Sequence, residues 1–453
     1  MVEIFIIGGS DAGVSAALRI KEVAPSFQVH MLLKDEYPNY SICGIPFYLS
    51  KEVTQPDQLA HRSLKELKSA GIDVLLHHEV EQIHPEDKKL TVSTPLGKEV
   101  FAYDKLLMAT GAKSVTPAIE GLDLVGVFQL RWIDDMLIIA SYLQEHQVKE
   151  VVIIGAGYIG VEMAEAFTLR ELTVHMIEAS DYPLQTFDPE LGLVVRDYLM
   201  SKKIHLYQNH LVKKISQRNG SLSVETNKTE VRGQVVLVVT GAQPASELAH
   251  QAGIHTGARG AIKVDGLMHT NLEDIYAAGD CCETYHRLLQ QYDYLPLGTT
   301  AHKQGRVAGE NIAGGKRYYG GSLGTQVVKV FDHVAARTGL REGEARKAGI
   351  PCFSAVYEAY DHKSYYPGAS SILIKLTARS DNQQLLGVQM WGAQKAEVAK
   401  RIDVVATAIH QFSTVEQLND LDLSYSPPLG TPWDALQMSA QHWLRIYNTS
   451  IHA

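Results

Sequence analysis

Two glycine-rich turns, one opening at Gly8 and the other at Gly155, constrain this chain more than any other feature. The first, Gly8-Gly9-Ser10-Asp11-Ala12-Gly13, follows the apolar run Ile4-Phe5-Ile6-Ile7 and precedes an Ala-rich helix predicted over Val14 to Lys21. A pyrophosphate needs a tight turn, little side-chain bulk and the positive end of a helix dipole, which glycines at the first and last positions supply. Ser10 stands where the full pattern has its middle glycine. The second turn is complete: Gly155-Ala156-Gly157-Tyr158-Ile159-Gly160 lies between the strand Val151-Val152-Ile153-Ile154 and a helix predicted over Val161 to Leu169. Two copies in strand–turn–helix context predict two Rossmann-like units in an α/β fold.

Glu178 ends the strand Thr173 to Ile177, where a carboxylate accepts hydrogen bonds from an adenosine ribose. Ala179-Ser180-Asp181 bring no basic residue to meet a 2′-phosphate, which favours NADH and leaves NADPH open to an arginine from another loop. The strand Lys105 to Met108 empties into Ala109-Thr110-Gly111, and Val235 to Val239 empties into Thr240-Gly241-Ala242, so the second unit reads as an insertion in the first. The first unit resumes with Ile275-Tyr276-Ala277-Ala278-Gly279-Asp280, whose aspartate suits a sugar-like polyol. From Leu323 the pattern changes to strands over Thr325 to Phe331 and Ser371 to Leu376, then a helix over Val398 to His410. The expected division is 1–112 with 243–322, 113–242, and 323–453.

At 453 residues the chain has room for two or three domains, and 45% apolar with 21% charged residues is a globular composition. A net charge of −9 argues against nucleic acid or an anionic membrane as a general partner. No Cys/His spacing of a metal site occurs. No leader or long apolar run is visible, and four cysteines make no disulfide framework, so a reducing cytoplasm is expected. Of those cysteines, Cys43 stands in Ser41-Ile42-Cys43-Gly44-Ile45-Pro46; a helix starting within Gly44 to Leu49 would lower its thiol pKa. Cys281 and Cys282 are expected to pack a turn, and Cys352 to lie in the core.

These pieces together, the two glycine turns, Ala109-Thr110-Gly111, Gly279-Asp280 and Cys43-Gly44, resemble the flavin-dependent pyridine nucleotide-disulfide oxidoreductases over essentially the whole chain. Within them the sequence is similar to the single-cysteine branch of CoA-disulfide reductases, NADH oxidases, NADH peroxidases and persulfide reductases. The resemblance implies a glutathione-reductase-like fold. FAD would lie on the first unit, NADH (or NADPH) on the inserted one, and the C-terminal α+β domain would form a homodimer. Relatives with a redox dithiol carry two cysteines five positions apart, but Pro38 and Tyr48 flank Cys43 at that distance. Peroxidase and many oxidase relatives place a histidine in the first turn, where this chain has Asp11. The dithiol relatives' C-terminal histidine is replaced by Phe412.

The segments Ser364-Tyr365-Tyr366-Pro367-Gly368-Ala369 and Leu423-Ser424-Tyr425-Ser426-Pro427-Pro428 resemble the CoA-disulfide and persulfide reductases, in which tyrosines from the partner subunit reach the active cysteine. That role falls on Tyr425 and Tyr366, although tyrosines also simply pack dimer surfaces. Ile42 replaces an asparagine common in CoA-disulfide reductases, and Leu33 stands where a carboxylate for the FAD ribose is expected, with Asp35 as its substitute. Arg19 and Arg62 are the candidates for CoA phosphates, and either is also readable as a solvated charge. The implied function is reduction of a low-molecular-weight disulfide or persulfide by NADH through Cys43. An oxidase cycling Cys43 through sulfenic acid, and an FAD electron-transfer or signalling flavoprotein with little turnover, are the alternatives.

Overall fold

The computed structural model describes residues 1–218 and 220–451. The chain divides into two compact units: residues 1–118, 128–147 and 240–322 in one, and 119–127, 148–239 and 323–453 in the other.

The first unit is built on a five-stranded parallel sheet in the order Ile275–Ala277, Lys105–Met108, Glu3–Ile7, Gln28–Leu32, Ile72–Leu75. Its strands are short apolar runs, as a sheet covered on both faces requires. Ile4, Ile6, Met31, Leu106, Leu107 and Ala277 are fully buried. The helix Asp11–Val23 packs on the helix Gly298–Ile312 closely enough that a Cβ on Gly305 would stand 2.2 Å from the Ala12 carbonyl oxygen, and one on Gly309 2.4 Å from that of Ala16. Glycine is therefore what lets these two backbones touch. A three-stranded antiparallel sheet of Glu79–His84, Lys89–Thr94 and Gly97–Ala102 completes the layers. The short strands Ala112–Ser114 and Ala242–Pro244 pair antiparallel, bringing the two segments that flank the insertion side by side.

In the second unit four parallel strands run in the order His205–Gln208, Thr173–Glu178, Glu150–Ile154, Val235–Val238. The same unit holds a five-stranded antiparallel sheet in the order Gln326–Val330, His333–Gly339, Leu385–Ala393, Ser371–Arg379, Cys352–Tyr360. The helices Val398–His410 and Ala435–Ile451 accompany it. The helix predicted over Val398 to His410 is found with those bounds, and the strand predicted to end at Leu376 runs on to Arg379. Cys352 departs from the core position expected of it: it opens its strand half-buried, its sulfur 4.0 Å from the Glu342 carbonyl oxygen.

An ion cluster around a buried lysine, with Asp188 buried and Glu190 and Glu342 partly exposed, ties the first part of this unit to its antiparallel sheet. The Lys375 ammonium, 3% exposed, lies 3.1 Å from Asp188, 2.9 Å from Glu190 and 3.2 Å from Glu342. Gln389 donates a further 2.7 Å hydrogen bond to Asp188. Burial pulls the Lys375 pKa down, but Glu190 and Asp188 outweigh it and the net shift is upward. Lys375→Met is expected to cost about 3–5 kcal/mol, because three carboxylates lose their shared cation. Urea unfolding measures this, and a loss below about 1 kcal/mol would mean that water already screens the cluster.

Candidate active site

The first glycine turn is shaped by backbone contacts no side chain tolerates. Gly8 has φ 110°, its N–H donates to the Leu32 carbonyl at 3.0 Å, and a Cβ on it would meet the Ala109 carbonyl oxygen at 2.2 Å. A Cβ on Gly13 would stand 2.1 Å from the Gly8 carbonyl oxygen. Gly279, at φ 89°, brings its backbone against Ala12, whose Cβ would be 2.9 Å from a Cβ there. Gly8–Gly13, Ala109–Gly111 and Gly279–Asp280 are thus gathered at the C-terminal ends of three neighbouring strands, where open α/β sheets bind ligands.

Ser10 is the N-cap of the helix Asp11–Val23 but makes no side-chain cap bond, so the first N–H groups of that helix are left to another acceptor. A Cβ on Gly111 would meet nothing within 4 Å. Backbone donors beside open glycine space fit the phosphates of FAD. Gly9 is filled in by Leu33, which is 4% exposed and whose side chain comes within 2.6 Å of a Cβ at Gly9. Leu33 is therefore a packing residue here. Asp35 lies just beyond it, accepting the Tyr37 N–H at 2.9 Å, its carboxyl pushed upward by burial.

Two polar contacts at this turn had no signal in the sequence. The Arg131 guanidinium donates to Asp280 at 2.8 Å and to the Ala112 carbonyl at 3.1 Å, so the carboxylate expected to hold a polyol also holds an arginine. His302 places Nε2 3.4 Å from Asp11 and Nδ1 2.8 Å from the Ser15 hydroxyl. Burial raises the Asp11 pKa; His302 and His61 oppose the shift and Asp280 adds to it. Asp11 is thus the carboxylate of an acid–imidazole pair.

Cys43 hangs from the same turn. Asn39, buried and at φ 58°, donates its N–H to the Gly9 carbonyl at 2.7 Å and accepts the His61 N–H at 3.0 Å. Ser41 donates to the Leu59 carbonyl at 2.8 Å, and a Cβ on Gly44 would be 2.5 Å from the Leu59 side chain. The segment is strapped along both sides. Cys43 falls in a 3₁₀ turn, Ile42–Gly44, that runs into the short helix Ile45–Leu49. Ile45, Pro46 and Leu49 are buried while Cys43 is exposed, so the helix is anchored and the cysteine lies at the surface. Cys281 and Cys282 are fully buried, with sulfur contacts of 3.4 Å to the Ala278 and Gly279 carbonyls, respectively.

The second turn repeats the first. Gly155 has φ 106°, and a Cβ on Gly160 would stand 2.0 Å from its carbonyl oxygen. Gly157 opens the helix Tyr158–Leu169 with nothing within 4 Å of a Cβ position, an approach a pyrophosphate fits. Glu178 accepts the Ala156 N–H at 2.8 Å and the Ser180 N–H at 2.9 Å, which fixes its carboxylate beside the turn. Tyr158 donates its hydroxyl to Gln326, and Ile159 follows it on the same helix. Gly241, at φ 125°, accepts the Val115 N–H at 2.9 Å in the first unit.

One turn along the helix Tyr158–Leu169, Glu162 was missed by the sequence reading, since nothing marks it apart from other helical glutamates. Burial, and then Glu165, push its carboxyl up to about 7, against the pull of Lys329. The folded protein therefore holds a proton that the unfolded chain has released by pH 7. Stability from this group falls as pH rises from 4.5 to about 7. Glu162→Gln does not titrate, so its stability relative to the parent should improve by about 2 kcal/mol between pH 5 and pH 8. Unfolding midpoints at the two pH values check this; a pH-independent difference would contradict it.

Tyr366 and Tyr425 are 43% and 45% exposed, and their segments are joined by a 3.3 Å hydrogen bond from the Lys363 N–H to the Pro427 carbonyl. Tyr365 is exposed beside Tyr366, and Leu429 and Trp433 are exposed just beyond Tyr425. Arg19 is engaged by Glu22 at 2.7 Å and Glu310 at 3.1 Å, whereas Arg62 is exposed. Among the described residues no group of three or more His, Cys, Asp or Glu is placed to hold a metal ion. No helix among them is long and apolar enough to cross a membrane.

The family model for pyridine nucleotide-disulphide oxidoreductases matches residues 2–305, and that for their dimerisation domain matches 325–435. The chain belongs to this family. Its members use FAD and NAD(P)H, and its C-terminal part is their dimerisation domain, which points to a homodimer. A relative in Pyrococcus abyssi, named NAD(P)H sulfur oxidoreductase (CoA-dependent), is 36% identical over 97% of each chain. One in Methanocaldococcus jannaschii, named NADH oxidase, is 32% identical over 97% of this chain and 98% of its own. The solved structure of an NAD-dependent persulfide reductase from A. fulgidus is 35% identical with a TM-score of 0.95. It aligns with 99% of this chain, which spans 84% of that one.

Proposed function

We propose that this oxidoreductase uses NADH to reduce a low-molecular-weight disulfide or persulfide, of the CoA type, through Cys43 in the cytoplasm. The observation that carries the reading is Cys43 standing exposed on a segment strapped to the first glycine turn through Asn39 and Gly9. The division into an FAD domain, 1–112 with 243–322, an NAD(P)H domain, 113–242, and a dimerisation domain, 323–453, belongs to this proposal. In it, Gly8–Gly13, Asp35, Ala109–Gly111, Gly279 and Asp280 hold FAD, while Gly155–Gly160, Glu178 and Gly241 serve the nicotinamide nucleotide. Bound FAD supplies the relay of an electron pair from NADH to sulfur.

The chain's own residues do the rest. The Cys43 thiolate attacks a substrate sulfur and displaces the other half as a thiolate, leaving a mixed disulfide on Cys43. The attack requires Cys43 as its thiolate, since the thiolate and not the thiol is the nucleophile. A proton donor must meet the departing sulfur, and Tyr425 and Tyr366, contributed by the partner subunit, are assigned that role. Arg19 is assigned to the substrate's phosphates, for which it must exchange Glu22 or Glu310, with Arg62 as the second candidate. The oxidase reading is supported by the name of the M. jannaschii relative.

Anaerobic NADH oxidation with CoA disulfide, CoA persulfide and glutathione disulfide in parallel tests the proposal. The CoA substrates are expected to exceed glutathione disulfide by at least about tenfold in kcat/KM, a discrimination of about 1.4 kcal/mol. Equal rates with all three would remove the CoA assignment.

A further inference from the structure

Behind the Gly279–Asp280 turn, within the first unit, lies a pocket of about 200 Å³ that the reaction proposed above leaves unused. Its floor includes Gln304, fully buried, whose amide oxygen accepts the Gly279 N–H at 2.9 Å and whose amide nitrogen donates to the Glu283 carbonyl and the Thr284 hydroxyl, each at 3.1 Å. Tyr285, Tyr292 and Tyr319 line its sides. Tyr285 and Tyr292 are register partners across the hairpin of Thr284–His286 and Gln291–Asp293, with ring centroids 5.5 Å apart and planes at 65°, so they make two sides of a corner. Tyr319 is held by its N–H, which donates to the Gly266 carbonyl at 2.8 Å.

Two carboxylates line the pocket and no basic residue does. Asp265 is exposed at the mouth, where it accepts the Leu267 and His269 N–H groups and lies 3.3 Å from the His269 ring. Glu283 is 6% exposed and accepts the Ala258 N–H at 2.6 Å. Among the described residues no lysine, arginine or histidine is ion-paired with Glu283; Lys263, whose Cε comes within 2.8 Å of the same Gly257 Cβ position as its carboxylate, forms no ion pair with it. A carboxylate buried this deeply is ordinarily balanced by a cation. Burial, then Asp265 and Glu283, push the Tyr292 pKa up, as a phenol among carboxylates requires.

We propose that this pocket binds a small quaternary ammonium ion, its methyl groups against Tyr285, Tyr292 and Tyr319 and its charge answered by Glu283. Tyrosine rings around a carboxylate supply both attractions such an ion uses: the ring quadrupoles draw its diffuse charge, and the methyls bury against the rings. A metal ion is disfavoured, since the described residues place no group of three His, Cys, Asp or Glu around one. A primary ammonium or guanidinium needs several free acceptors, but the Gln304 oxygen is spent on Gly279 and one Glu283 oxygen on Ala258. The volume is below the roughly 300 Å³ at which pockets for drug-sized ligands begin, so a head group enters and any tail leaves past Tyr292 and Asp265. Such a site is separate from Cys43 and from the substrate assigned to it.

The test is ligand-observed NMR on the full-length holoenzyme, titrated with choline and with neohexyl alcohol, its neutral carbon isostere. Choline is expected to saturate one site per chain with Kd below about 5 mM, and to bind at least about tenfold more tightly than the alcohol. Glu283→Gln keeps an acceptor for the Ala258 N–H, and Tyr292→Leu changes a ring already 38% exposed, so both should fold as the parent does, which thermal midpoints check. Each is expected to weaken choline at least about fivefold. Should Glu283→Gln lose stability, Tyr292→Leu decides. Equal binding of choline and the alcohol, tighter binding of ethanolamine than of choline, choline affinity unchanged in Tyr292→Leu, or no saturable binding of choline at all would each overturn the proposal.

Discussion

Cys43→Ser is expected to lower anaerobic turnover with CoA disulfide by at least about 10³-fold, while NADH still bleaches the bound cofactor at a rate within about twofold of the parent. A serine hydroxyl at this position is neither ionised near neutral pH nor able to form a mixed disulfide. The fold should not notice the change. Cys43 is exposed, and the backbone of its segment is held by the Asn39, Ser41 and Gly44 contacts. No other thiol takes over, because Cys281 and Cys282 are fully buried and burial raises the pKa of the half-buried Cys352 thiol. Residual turnover above about 10% would place the chemistry elsewhere.

The second large effect separates two glycines three residues apart. Gly160→Ala puts a Cβ 2.0 Å from the Gly155 carbonyl oxygen, and because the obstacle is backbone, it cannot swing away. A cost of about 3 kcal/mol is expected, with the helix Tyr158–Leu169 pushed off its turn and KM for NADH raised at least about tenfold. Gly157→Ala meets nothing within 4 Å in the protein. It should leave stability within about 0.5 kcal/mol and still raise KM for NADH, because its Cβ occupies the approach to the turn. Unfolding midpoints beside steady-state KM values decide this; equal stability losses at both positions would show that Gly157 is structural too.

Much of the fold was readable because glycine turns advertise themselves locally. Gly8, Gly13, Gly155 and Gly160 each sit where a Cβ would strike backbone or where φ is positive, so the requirement is written at the position itself. The adjoining strands and helices are apolar runs long enough to be recognised. Glu178 was legible for the same reason, standing at the end of the strand Thr173–Glu178. What the sequence concealed are pairings between distant positions: Arg131 with Asp280, His302 with Asp11, and Lys375 with Asp188, Glu190 and Glu342. Each joins ordinary polar residues that no local rule singles out, and packing alone brings them together. Leu33 shows the converse. A departure from the family pattern marks a place where a side chain fills space against Gly9.

The account's central claim is that Cys43 hands electrons to a sulfur substrate. The most direct measurement is a single-turnover competition, in which enzyme reduced anaerobically with one equivalent of NADH is mixed with CoA disulfide in one syringe and with oxygenated buffer in another. Reoxidation by CoA disulfide at least about tenfold faster than by oxygen, and absent in Cys43→Ser, is the predicted result. Faster reoxidation by oxygen, with CoA disulfide silent, would contradict the claim and make the protein an oxidase.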